Sequence, residues 1–401
     1  MNTAETRQRW VILGISYSFL LSFTITLQAV PPVLSLIMSD LQLTHTQGGL
    51  LMSLFALPGI IISIPAGMLV DRYGHKLIAT GSFILAISGT VILASGISFP
   101  IVALGRIISG IGAVTLSLLA PQILTQWFKG RELGLVMGLF STGLPLGTII
   151  SLNFLSQIGE AIGWRISLWL SAGLPAVALI IFLILFVPAP RTGGQAPSKN
   201  KNFFKNIRDT GILIWLIGAG WMMFNASMMS MFTFTPDFLV ANGFSVAKAG
   251  FITGSSMWPP LLLSPIVGFV IHKVGLKRTI ITIGGLALTV CMALMPSSIG
   301  WIMPLVMLIG VSQTLVPPPT FSLIPEVVSP QRLGLGYGIL ITCQNLGILI
   351  GPASVGLITD VAGSYQASYA LMAGFALLIA ISMALLSWQQ KAKFDHPIHE
   401  G

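Results

Sequence analysis

The chain has 401 residues, 54% of them hydrophobic and only 8% charged, with a formal net charge of +9 and a mean hydropathy of +0.90. A soluble domain carries about 25% charged residues, so this composition excludes an ordinary water-soluble enzyme or nucleic-acid-binding domain and makes lipid the solvent. A membrane-crossing helix takes about 20 apolar residues, and twelve such helices with short connections fit the length.

In chain order, the predicted helices run over 10–38, 47–70, 77–97, 99–126, 132–157 and 164–188, then over 211–236, 246–271, 278–296, 299–323, 334–359 and 367–388. Arg7 and Arg9 precede an apolar run that is too long for a cleaved signal and has no small-residue cleavage site, so the first helix reads as a retained span. It carries Thr24 and Gln28 on one face at i,i+4 spacing. Between the second and third helices lies a charged decapeptide, Gly67-Met68-Leu69-Val70-Asp71-Arg72-Tyr73-Gly74-His75-Lys76. The third and fourth helices are parted only by Ser98-Phe99-Pro100, and the ninth and tenth only by Pro296-Ser297-Ser298. The fourth helix holds Arg106, the one ionisable side chain expected well inside a span, where a guanidinium is costly and faces a cavity or a partner. Residues 189–210, rich in Gly, Pro, Lys and Asn, read as a basic linker. The seventh helix pairs Trp221 with Asn225 at i,i+4. The tenth places Gln313 and Thr314 just before Pro317-Pro318-Pro319, which must break its hydrogen-bond ladder.

Charge sets an expected orientation. Seventeen of the 20 Lys and Arg residues fall on the side of the termini, against Arg165 and Lys248 opposite, so both termini are expected in the cytoplasm. Asp40, Glu160, Asp237 and Asp360 fall at helix ends or loops on the outer side, and no carboxylate is expected mid-span.

The decapeptide recurs, worn, 201 positions later as Gly268-Phe269-Val270-Ile271-His272-Lys273-Val274-Gly275-Leu276-Lys277. Pro121, Gly134, Gly143 and Gly147 recur as Pro325, Gly338, Gly347 and Gly351. A repeat at half the chain length describes two related bundles. The expected division is a six-helix bundle over 1–188, a cytoplasmic linker over 189–210, a second bundle over 211–390 and a tail over 391–401.

Gly67, Asp71, Arg72, Gly74 and Lys76 resemble the signature between helices 2 and 3 of the major facilitator superfamily. Arg106 with Gly110, Lys129-Gly130-Arg131-Glu132 and Gly163-Trp164-Arg165 agree with it. The resemblance spans the chain and extends, less specifically, to prokaryotic cyanate and other small-anion transporters. It implies an all-α membrane protein with twelve transmembrane helices in two pseudo-two-fold-related bundles, in a prokaryotic cytoplasmic membrane, working by alternating access. It also implies that helices 1, 4, 7 and 10 line a central cavity, which makes Thr24, Gln28, Arg106, Trp221, Asn225, Gln313 and Thr314 the candidate solute-binding residues. Arg106 is open to two readings, a docking charge for an anion or a structural arginine on helix carbonyls. Some anion symporters of the superfamily place a Glu two turns after this arginine; here Ala113 stands there.

Asp71 is expected to close the cytoplasmic end against the start of helix 11, where a carboxylate is favoured by exposed amides. Gly67, Arg72, Gly74, Lys76 and Arg131 complete this expected gate. The expected cargo is a small polar solute, with an anion among the candidates, moved with or without a coupling proton or counter-anion by a monomer in contact with membrane lipid. The alternative is proton-coupled drug efflux. No HExxH motif and no nucleophile–base set occurs, so no enzymatic activity and no cofactor is expected. His396 and His399 stand alone in the tail and Cys291 and Cys343 lie apart in apolar runs, so no metal is expected.

Overall fold

The computed structural model describes residues 3–188, 211–329 and 332–395. Helices account for every regular element among them. Twelve are long and apolar enough to span a membrane. The first six are α1 (Gln8–Leu41), α2 (His45–Ile62), α3 (Arg72–Ser95), α4 (Phe99–Trp127), α5 (Glu132–Ile162) and α6 (Trp164–Leu185). The others are α7 (Ile212–Ala241), α8 (Val246–Ile271), α9 (Lys277–Ser297), α10 (Ile299–Val327), α11 (Leu333–Ala362) and α12 (Tyr365–Gln389). They form two six-helix bundles, α1–α6 and α7–α12. The linker over 189–210 and the histidines His396 and His399 lie outside the described residues.

Lipid offers backbone groups no hydrogen bonds, so helix continuity is the rule inside a membrane and each interruption needs a cause. The sequence reading expects an unbroken first helix over 10–38, and the structure corrects this. Regular α-helix ends at Leu27 and resumes as a short 3-10 turn at Pro31–Val33. Pro31 and Pro32 have no N–H, so the carbonyls of Leu27 and Gln28 lose their helical donors. The expected break at the proline run of α10 is present: one helical piece ends at Thr314 and the next begins at Pro317. α8 breaks after Ser255 and restarts at Trp258, ahead of Pro259 and Pro260. α5 contains a π-turn at Ser151–Leu155.

The decapeptide is also corrected. Helical hydrogen bonding runs from His45 to Ser95, and the only interruption is Gly74, at φ 80 and ψ 158. That backbone conformation suits glycine alone, so the turn expected between two helices narrows to one residue.

Small residues set how closely the helices pack, in place of a hydrophobic drive that lipid cannot supply. α3 and α4 cross where a Cβ on Gly89 would strike the Ser109 backbone and one on Gly105 would strike that of Leu93. Phe19, Phe83 and Phe182 then fill the core of the first bundle edge to face, with centroids 5.0 and 5.3 Å apart around Phe19. Overpacking of this kind costs about 1–3 kcal/mol. Gly89→Val is therefore expected to lower the midpoint of thermal unfolding in detergent by several degrees. Gly173→Val, where nothing lies within 4 Å of the added carbon, is the comparison and should move it little.

Candidate functional site

Arg106 has no exposed surface. Its Nε donates to the Leu51 carbonyl at 2.7 Å, one terminal nitrogen to Thr26 at 2.8 Å and the other to Leu27 at 3.1 Å. The guanidinium also lies over the Phe55 ring, 4.6 Å from its centroid. Leu27 is the residue whose carbonyl Pro31 leaves without a donor. The arginine supplies the hydrogen bond that Pro31 denies Leu27 and adds one to Thr26, and carbonyl dipoles in return surround its charge. In this conformation its fork is turned to backbone, and no solute reaches it.

Gln313 plays the same part in the second half. Its Nε2 donates 2.7 Å to the carbonyl of Ser256, the acceptor that Pro260 leaves unpaired. The other polar candidates also return to their own helices: Thr24 to Leu20 at 2.9 Å, Asn225 to Trp221 at 2.8 Å and Thr314 to Gly310 at 2.8 Å. Two keep unused capacity. Gln28 Oε1 and Trp221 Nε1 are buried without a hydrogen-bond partner among the described residues.

Ser151 Oγ and Asn153 Oδ1, in the π-turn of α5, share that condition and were missed by the sequence reading. Their helix runs beside α1, since Gly147 meets Thr24 and Gly159 meets Val33, which brackets Gln28 against the π-turn. Asn153 faces Gly254 of α8, just before that helix breaks. The irregular stretches of α1, α5 and α8 therefore adjoin where the halves meet, and three unpaired buried polar atoms belong to the first two of them. Nearer the termini, Trp221 stacks on Phe224 at 5.2 Å and meets Phe321 edge-on at 5.2 Å; Tyr337 stacks beyond Phe321 at 6.4 Å. A buried polar atom without a partner costs about 1–3 kcal/mol, so this constellation is suited to receive a polar guest.

The halves also meet at the end opposite the termini, and this contact is made twice. On one side, Asp360 at the end of α11 accepts from the backbone N–H groups of His45 at 2.9 Å and Thr46 at 2.7 Å, and from the Thr46 hydroxyl at 2.6 Å. On the other, Glu160 at the end of α5 accepts from the backbone N–H of Ala247. Ala247 follows Thr46 by the repeat spacing of 201. Each carboxylate thus caps the N-terminus of a helix in the opposite half, where exposed amides carry partial positive charge. Gly49 packs against the Pro352 carbonyl, and its repeat partner Gly250 packs against that of Leu152. Asp237 corrects the sequence reading: α7 continues past it to Ala241, and it is buried, accepting from the Tyr365 hydroxyl at 2.6 Å.

Ion pairs described at the terminal end stay within one half: Arg9 with Glu132 at 3.2 Å and Lys277 with Glu326 at 2.6 Å. Of the expected gate, Arg72 and Lys76 are exposed, with Arg72 5.2 Å from the Tyr73 ring centroid, and Gly74 forms the break. The side chains of Gly67, Asp71 and Arg131 lie outside the described residues.

Two duplicated six-helix bundles, joined at one end around unpaired polar groups, define a secondary transporter of a solute, not an enzyme. The sequence matches the Major Facilitator Superfamily profile over residues 15–245 and 216–399. The chain belongs to that superfamily. It is 25% identical over 384 residues to the lysosomal dipeptide transporter MFSD1 of Danio rerio, covering 90% of this chain and 82% of the relative. It is 26% identical over 374 residues to the hexuronate transporter of Bacillus subtilis (strain 168), covering 86% and 87%. A crystal structure of a mutant of the nucleoside transporter NupG superposes with a TM-score of 0.80 at 15% identity, covering 94% of this chain and 99% of the other.

Replacing Arg106 tests its bond to the backbone. Arg106→Met leaves three carbonyls without these donors and is expected to destabilise the protein by several kcal/mol, at roughly 1.5–3 kcal/mol per charged hydrogen bond, seen as a large fall in thermal midpoint without any solute present. Arg106→Lys, which cannot reach all three with a fork, should fall between.

Proposed function

We propose that the protein carries a small polar solute across a prokaryotic cytoplasmic membrane as a monomer, by alternating access, with both termini in the cytoplasm. The asymmetry of Lys and Arg supports this orientation. With that orientation, the end closed by Asp360 and Glu160 is the outer one and the conformation faces inward. The observation that carries the cargo reading is the cluster of unpaired polar atoms on Gln28, Ser151 and Asn153, with Trp221 towards the cytoplasm. An amide carbonyl, a hydroxyl and an indole N–H recognise a solute by hydrogen bonding and shape, not by net charge.

The anionic reading keeps one specific support, Arg106, the fully buried cation of the first half, together with the hexuronate transporter among the relatives. It requires the guanidinium to leave its carbonyls for the solute in another conformation. The proposed cytoplasmic gate of Gly67, Asp71, Arg72, Gly74, Lys76 and Arg131 belongs to that outward-facing conformation, with Asp71 set against the start of α11.

Purified protein in liposomes, assayed for flux against neutral polar metabolites, small anions and lipophilic cations, tests the cargo. For the solute carried, Gln28→Ala, Asn153→Ala and Trp221→Phe are each expected to weaken half-saturation by roughly 5- to 100-fold, the equivalent of about 1–3 kcal/mol, with thermal midpoints held. Unchanged half-saturation in all three would refute this site, and transport of lipophilic cations alone would favour drug efflux. Asp71→Asn should increase labelling of cytoplasmic-side cysteines; unchanged labelling and transport would remove the latch.

A further inference from the structure

His45 opens α2 in the first half, yet its ring is enclosed by the second. Nδ1 lies 3.0 Å from Asp360 Oδ1 on α11. Nε2 lies 3.3 Å from the Tyr365 hydroxyl on α12 and 3.5 Å from Asp237 Oδ2 on α7. The ring also packs edge-on to Tyr365 at 5.7 Å and beside Phe234 of α7 at 6.4 Å. Asp360, Asp237 and Tyr365 are the titratable groups that face it from the elements packed around it.

Counting hydrogens fixes the state of the ring. An ionised carboxylate only accepts, so Nδ1 must carry a proton to bond Asp360. The Tyr365 hydroxyl gives its hydrogen to Asp237 at 2.6 Å and so presents a lone pair to Nε2. Both ring nitrogens therefore face acceptors, and only the imidazolium has a hydrogen on each. The closed end also brings two carboxylates to one ring, and a neutral ring would leave both charges without a cation between them.

We propose that His45 is a proton-binding site assembled from both halves, and that the proton it holds locks the end opposite the termini. The inference does not depend on what the protein carries, and the proposed orientation only names the compartment as the outside. The ring is 29% exposed and exchanges protons with that compartment. Opening parts His45 from Asp237, Asp360 and Tyr365 together, since all three belong to the other half.

The sign follows from linkage. The closed form binds the proton more tightly than the open form, so proton binding favours closure. The lock is complete below the ordinary histidine value of about 6.5 and is lost at higher pH as the proton leaves. The repeat-related contact lacks the histidine: Val246 stands where His45 does, and Glu160 accepts from the Ala247 backbone amide there.

The test is a distance measurement between spin labels on Ile162→Cys and Asn242→Cys, both exposed at this end, in nanodiscs, with Cys291 and Cys343 replaced by Ala. The closed-to-open ratio is expected to fall between pH 6 and 9, by up to about ten-fold per pH unit for one linked proton. His45→Gln should leave the ratio low and flat. His45→Lys, cationic throughout this range, should hold it high and flat, which keeps the test decisive if the glutamine variant folds poorly. Glu160→Gln should lower the ratio at every pH and keep the slope. A slope that survives in His45→Gln or His45→Lys, or no slope in the parent, overturns the proposal.

Discussion

The constraint on which the rest of this structure depends is that lipid cannot satisfy a backbone carbonyl. Prolines break α1, α8 and α10, and each break leaves carbonyl acceptors for which the protein must supply donors itself. Arg106 serves the break in α1 and Gln313 the break in α8. One charged and one neutral side chain, from helices equivalent in the two bundles, thus do the same work. This explains how a guanidinium is tolerated with no exposed surface: it sits among carbonyl oxygens and over an aromatic face, so its charge is solvated by the protein.

Because these side chains hold the breaks, the breaks persist as fixed irregularities instead of being ironed out by neighbouring helices. The irregular stretches of α1, α5 and α8 converge, and three of the buried polar atoms left unpaired, on Gln28, Ser151 and Asn153, belong to them. Stability and recognition therefore divide the polar residues between them. Arg106 and Gln313, bound to backbone, maintain the shape, while Gln28, Ser151 and Asn153 keep unused capacity at the irregular stretches.

Much of the fold is legible in the sequence. Hydropathy marks the spans, the 201-residue spacing marks the duplication, and the proline run of α10 marks its own break. Pro31 and Pro32 mark the break of α1 equally well, yet the long apolar run around them hides it. The candidate site is less legible. A carbonyl acceptor leaves no trace in residue identity, so nothing in the sequence distinguishes an arginine bound to backbone from one awaiting an anion. Asn153 gives no signal because its significance comes from a π-turn. His45 and Asp360 are 315 residues apart, and each alone reads as an exposed polar residue at a helix end. Asp237 looks like a loop residue because hydropathy cannot tell how far a helix continues past a proline.

The doubled contact at the closed end has the character of an isologous interface, the kind by which two identical subunits self-associate about a two-fold axis. Asp360 on Thr46 and Glu160 on Ala247 are counterpart contacts on the two sides of the axis, each a carboxylate on the N-terminus of a helix in the other half. In a homodimer every substitution would act twice, so neither copy could take on a private task. Fusion into one chain lifts that restriction. Here the two copies differ: one sets His45 and Thr46 against Asp360, the other Val246 and Ala247 against Glu160, so the fold keeps a two-fold relation that the chemistry of the contact does not.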